Sequence, residues 1–187
     1  SMCRSGNMSL SHFQEDFMGI DRFFQEAVYH DETDLNAAST VEVEMYEHEC
    51  MYPTFAEIAR QAGHPEIGAM FDAIAREEGE HAQLVRRLYQ QLEVKDSPQT
   101  QEAKRLVAQI QAQMEVVAKD PRGLRRALET ALEVETIESE KTYPAFAELA
   151  RRQGKEEVAR VFEEIVRSET RHAAWVRRAL ESLPAHV

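Results

Sequence analysis

A chain of 187 residues, 43% hydrophobic and 30% charged, suits a single domain with one substantial core. Its 34 acidic and 22 basic residues leave a formal charge of -12, which argues against nucleic acid or an anionic membrane surface as partner, because both would repel it. No apolar run approaches the roughly 18 to 20 residues of a membrane helix, and no charged-then-apolar leader precedes a cleavage site. A soluble protein is expected. Ser1 ahead of Met2 is compatible with a removed targeting segment, so the compartment stays open between cytoplasm and organelle stroma.

In chain order, residues 1–34 form an N-terminal segment in which Phe13, Phe17, Ile20, Phe24 and Val28 recur three or four apart, predicting a short amphipathic helix over 13–28. A long helix follows from about Asp34 to Ala62 and stops at Gly63, a residue suited to a left-handed cap. Pro65 opens a second helix that ends near Leu92. Residues 93–120 read as a crossover containing Ser97-Pro98 and a helix over about 101–119. A third long helix spans about Pro121 to Gln153 and ends at Gly154, and a fourth runs to Leu183. Pro53 and Pro144 fall inside the first and third, where a missing N–H predicts a kink. Cys3 and Cys50 are the only cysteines. A disulfide framework is not expected, and without a Cys-x-x-Cys pair the sequence offers no rubredoxin-type iron site.

The second half repeats the first. Segments 42–92 and 133–183 align at an offset of 91 residues, with about half of the positions identical. Tyr52-Pro53-x-Phe55-Ala56-Glu57 returns as Tyr143-Pro144-x-Phe146-Ala147-Glu148, and Gly63, Phe71 and Ile74 return as Gly154, Phe162 and Ile165. The expected architecture is all-α: a ferritin-like four-helix bundle of two duplicated helix pairs, occupying 35–187 with halves 35–92 and 121–183.

Each long helix has an apolar seam broken by a polar pair. The seams read Ala37, Thr40, Glu44, Glu47, Met51, Phe55, Ile58; then Ile67, Phe71, Ile74, Glu78, His81, Val85, Leu88, Leu92. The second half gives Leu128, Ala131, Glu135, Glu138, Thr142, Ala145, Leu149; then Val158, Phe162, Ile165, Glu169, His172, Val176, Ala179, Leu183. Residues three apart project to one side of a helix, about 4.5 Å apart along its axis, so each pair is a two-pronged donor. Six carboxylates and two imidazoles meeting in a low-dielectric interior must be protonated or bind cations. A single Glu-x-x-His is commonplace, but four pairs in register point to a dinuclear metal site. Carboxylate and imidazole suit iron or manganese, with zinc as a possible substitute. Glu42, Glu49, Glu57, Glu77, Glu80, Glu133, Glu140 and Glu148 read as surface acids, and His12, His30, His48, His64 and His186, unrepeated, as surface histidines. Tyr52 and Tyr143 flank the seam, where they either hydrogen-bond ligand carboxylates or simply pack.

The Glu-x-x-Glu leading into Tyr-Pro-x-Phe-Ala, followed by Glu-x-x-His, resembles the rubrerythrin family of ferritin-like di-iron proteins over about residues 35 to 183. That resemblance implies iron ligands at Glu44, Glu78, His81, Glu135, Glu138, Glu169 and His172. Glu47 adds a carboxylate the family usually lacks, a symmetry that looks like the symerythrin type. It also implies reduction of O2 or hydrogen peroxide at the metals, with Glu47, Glu138, Tyr52 and Tyr143 as candidate catalytic groups. Six carboxylates match the charge of two Fe(III) and exceed that of two Fe(II), so the cage should favour oxidised metal. Without a rubredoxin domain, electrons must come from an external donor such as a rubredoxin or ferredoxin. The alternatives are a ferroxidase assembled into a shell, a di-iron oxygenase with an apolar pocket at Met51, Phe55, Thr142 and Phe146, and a redox-inert structural metal bundle. A duplicated chain completes its own bundle, so a monomer is expected.

Overall fold

The structure, a computed structural model, describes residues 33–89, 112 and 123–184, and no strand occurs among the described residues. In the first half α1 (Thr33–Tyr46) passes through a π-helical turn, π1 (Glu47–Met51), into α2 (Tyr52–Gln61), and α3 (Pro65–Leu88) folds back on them. The second half repeats this as α4 (Gly123–Ile137), π2 (Glu138–Thr142), α5 (Tyr143–Arg152) and α6 (Glu156–Ser182). The halves meet through α3 against α6, α2 against α4 and α1 against α5. The helix expected over 13–28, and all but Ala112 of that expected over 101–119, lie outside the described residues.

The two tight turns have the same physical origin. Gly63 (φ +84°) and Gly154 (φ +73°) adopt the left-handed conformation that L side chains resist. That lets His64 N–H reach Ala59 O and Lys155 N–H reach Ala150 O, both at 2.8 Å, which satisfies carbonyls at the helix ends. Outside the turns, Arg60 pairs with Asp72 and Arg151 with Glu163, an exposed latch repeated at the same offset. Such surface pairs contribute at most about 1 kcal/mol each.

The expected proline kinks take the form of the π turns. Pro53 and Pro144 have no N–H for the carbonyl four residues back. Just upstream, each ladder widens so that Tyr52 N–H bonds Glu47 O and Tyr143 N–H bonds Glu138 O, five residues back. The extra residue shifts the buried face downstream by one position. Ala59 and Ala150 are therefore buried where an unbroken α period expects Ile58 and Leu149, and Phe146 takes the place of Ala145. The shift also turns Tyr52 and Tyr143 fully inward.

Matched aromatic clusters close the core on one side of the polar layer. Tyr52 stacks on Phe71 at 5.9 Å and Tyr143 on Phe162 at 6.0 Å, with Phe55 and Phe146 each 5.4 Å from the second ring of their own half. Met51, Phe55, Thr142 and Phe146, considered above as a substrate pocket, are buried among these neighbours. Cys50 is buried.

Candidate metal centre

All four polar pairs arrive at one level of the bundle. Glu44 comes from the last turn of α1, and Glu47 opens π1; Glu135 and Glu138 occupy the same places on α4 and π2. Glu78 and His81 project from α3, and Glu169 and His172 from α6. None of the eight is more than 5% exposed.

The two imidazoles organise the cage. His81 Nδ1 lies 2.8 Å from Glu78, 3.0 Å from Glu169 and 3.2 Å from Glu44. His172 Nδ1 lies 3.0 Å from Glu169, 3.1 Å from Glu78 and 3.4 Å from Glu135. Glu78 and Glu169 thus reach both histidines, whereas Glu44 serves one and Glu135 the other. A third cluster joins Glu44 and Glu47 to Glu138 of the opposite half. In each cluster one donor atom per residue lies within 4.8 Å of all the others, a spread that a single cation can bridge.

Electrostatics show how poorly the cage satisfies itself. Burial, reinforced by the neighbouring carboxylates, pushes Glu44, Glu47, Glu135 and Glu138 well above the usual carboxylate range. Burial acts the same way on Glu169, but hydrogen bonds from His172 and His81 override it and hold that carboxyl at about 2. Burial opposes charge on His81 and His172, yet the carboxylates around them raise both well above the ordinary imidazole value. Glu47 Oε2 and Glu138 Oε1 remain buried with no hydrogen-bond partner among the described residues. Orphaned carboxyl oxygens beside crowded acids fit cation binding, and the oxygen and nitrogen donor set suits two hard or borderline divalent ions.

Both tyrosines reach across the duplication. Tyr52 OH donates to Glu135 Oε1 and Tyr143 OH donates to Glu44 Oε1, so each half orients a carboxylate of the other. Burial, then those carboxylates, raise both phenols well above their ordinary value and keep them neutral donors. Tyr143→Phe or Tyr52→Phe leaves one buried carboxylate oxygen without its donor and is expected to cost about 1–3 kcal/mol in chemical denaturation. An unchanged midpoint would show that the hydroxyl only packs.

One acid read as surface is not. Glu77 is 20% exposed, and its Oε2 lies 3.0 Å from His172 Nε2, the ring nitrogen facing away from the cage. Ser168 Oγ donates to the same oxygen at 3.0 Å and the Arg171 guanidinium at 2.5 Å. Glu77 lies off the apolar seam, which is why periodicity misses it; the available signal was the unmatched pair in the duplication, glutamate at 77 against serine at 168. Of the unrepeated histidines, His48 is half-buried with Nδ1 2.6 Å from Ala75 O, and His64 pairs with Glu66 at 3.1 Å. His12, His30 and His186 lie outside the described residues.

A bundle of two duplicated helical hairpins around a buried cage of carboxylates and imidazoles defines a ferritin-like metal-carboxylate protein. The sequence model of the rubrerythrin family matches residues 19–89 and 46–180. Symerythrin of Cyanophora paradoxa is 72% identical over 176 residues, 94% of this chain and 98% of that protein. Its crystal structure, reduced with dithionite, superimposes with a TM-score of 0.73 over 92% of this chain and 97% of the other. A rubrerythrin of Porphyromonas gingivalis is 32% identical over 140 residues, 73% of this chain and 58% of that protein. The chain belongs to the rubrerythrin family of ferritin-like di-iron proteins. No helix among the described residues is long and apolar enough to cross a membrane.

Proposed function

We propose that the protein is a di-iron oxidoreductase that reduces O2 or hydrogen peroxide with electrons from an external donor. The observation that carries this reading is the buried cage, in which Glu47 Oε2 and Glu138 Oε1 are left without partners. Two iron ions held by Glu44, Glu47, Glu78, His81, Glu135, Glu138, Glu169 and His172 would supply electrons to the oxidant by passing from ferrous to ferric; manganese or zinc fits the same donors.

The side chains do the remaining work. Tyr52 and Tyr143 hold Glu135 and Glu44 in place, and the histidines lie against Glu78, Glu135 and Glu169, which leaves Glu47 and Glu138 as carboxyls with a buried oxygen that neither a phenol nor an imidazole engages among the described residues. At Glu47 Oε2 and Glu138 Oε1 a proton is taken up or released as charge in the cage changes. The aromatic clusters beneath exclude bulk water. Six carboxylates balance two ferric ions, so the donor set favours the oxidised pair. The reductant in this reading is a separate protein such as a rubredoxin or ferredoxin. The working unit is a monomer without nucleic acid or membrane partners.

The test is anaerobic loading of the apoprotein with two Fe(II), mixing with O2 or peroxide, and stopped-flow detection of ferric absorption while oxidant consumed per site is counted. Fast oxidation with repeated turnover on re-reduction is expected. A single turnover that deposits ferric iron in a multimeric shell would favour ferroxidase activity, and no reaction with either oxidant would leave a structural metal bundle.

A further inference from the structure

We infer that Glu77 is a positioning residue for His172 and makes the two metal positions unequal, the one served by His172 binding the tighter. The inference rests on the reading of the cage as a metal centre and concerns which half holds its ion more firmly.

The duplication supplies an internal control. Position 168 is the counterpart of 77 at the 91-residue offset, and it is serine. His172 therefore has a carboxylate against its outer nitrogen, whereas the corresponding residue for His81 has only a hydroxyl, which donates to Glu77 instead. The surroundings hold Glu77 in place. Arg171, replaced by Glu80 at the matching position of the first half, bonds Glu77 Oε2 and lies 5.5 Å from the Trp175 ring centroid. The Trp175 ring in turn lies 5.5 Å from the His172 ring. An Nε2–H donated to Glu77 fixes the ring's orientation, so that Nδ1 faces Glu78, Glu135 and Glu169 and its lone pair is aimed into the cage once a metal displaces its proton. A carboxylate behind an imidazole also raises its basicity as a ligand, and loss of such a partner typically weakens metal binding about 10- to 100-fold.

Anaerobic titration of the full-length apoprotein with Co(II), followed by calorimetry and by the d–d absorption bands, reads the two positions without turnover. Wild type is expected to bind two ions in resolved steps. Glu77→Ala should weaken the tighter step about 10- to 100-fold and leave the weaker within about twofold, with a changed d–d spectrum for the first ion. Glu77→Gln, which keeps an acceptor for Nε2–H but not the charge, should fall between. Circular dichroism of the apo variants identifies a folding failure. If Glu77→Ala fails to fold, Glu77→Gln decides, and an unchanged first step overturns the inference. Two equal steps in wild type, or equal weakening of both steps in Glu77→Ala, overturns it as well. Absence of any Co(II) binding by wild type would instead overturn the metal-centre reading, a result distinct from binding that ignores Glu77.

Discussion

The apoprotein is expected to lose thermal stability as pH rises from 5 to 8, while protein loaded with two divalent ions gains stability over the same range. Folding raises the pKa of Glu44, Glu47, Glu135 and Glu138, so above the ordinary carboxylate value the folded state still holds protons that the unfolded chain has released. Stability then falls with rising pH. His81 and His172 act in the same direction, since their folded pKa is also raised: their contribution is complete below the ordinary imidazole value and is lost above it. Glu169, held at about 2, has the opposite sign, but its contribution is lost only as pH falls below the ordinary carboxylate value, outside this window. Metal binding reverses the trend because the protonated ligands must give up their protons to coordinate. With free metal at 1,000 times its dissociation constant, binding stabilises by about 4 kcal/mol, which raises Tm on the order of 10 °C for a chain of this size. Differential scanning fluorimetry of apo and loaded protein at pH 5, 6, 7 and 8 checks both slopes. An apoprotein whose Tm climbs towards pH 8 would show that the cage is not crowded by protonated acids.

Glu78→Ala or Glu169→Ala is expected to abolish binding of both ions, whereas Glu44→Ala or Glu135→Ala should leave one ion bound. Glu78 and Glu169 belong to the donor clusters of both histidines; Glu44 joins only that of His81 and Glu135 only that of His172. The shared carboxylates therefore carry the largest expected loss. Glu169→Ala should also destabilise the apoprotein by about 3–5 kcal/mol, because it strips two buried imidazoliums of their anionic partner. Glu138→Ala should do the reverse, since it removes an oxygen with no partner and relieves its acidic neighbours. Bound metal counted by inductively coupled plasma spectrometry, beside urea denaturation of the apo variants, separates these effects. Equal metal content across all four ligand variants would refute a shared-carboxylate arrangement.

Much of this architecture is legible in the residue pattern. The 91-residue repeat, the glycines at 63 and 154 and the seams broken by acids locate two helical hairpins and one polar layer, because burial imposes a helical period that charged residues can interrupt only where something compensates them. The π turns are not legible that way. An α period read through Pro53 and Pro144 stays nearly in phase, so one extra residue per half is hidden until the backbone shows that Ala59 and Ala150 face the core where Ile58 and Leu149 are expected.

Spacing along a helix identifies which side chains share a face, and that was enough to single out Glu44, Glu47, Glu78, His81, Glu135, Glu138, Glu169 and His172. It carries no information about which residue of one half faces which residue of the other. That pairing depends on how four helices cross. The crossing sends Tyr52 to Glu135 and Tyr143 to Glu44, gives both histidines a share in Glu78 and Glu169, and brings Glu77 behind His172 while its counterpart Ser168 turns to Glu77. Chemical composition of the cage is thus a one-dimensional property, written in the repeat. The division of labour within it arises from packing contacts between residues 83 to 99 positions apart, which no local period encodes.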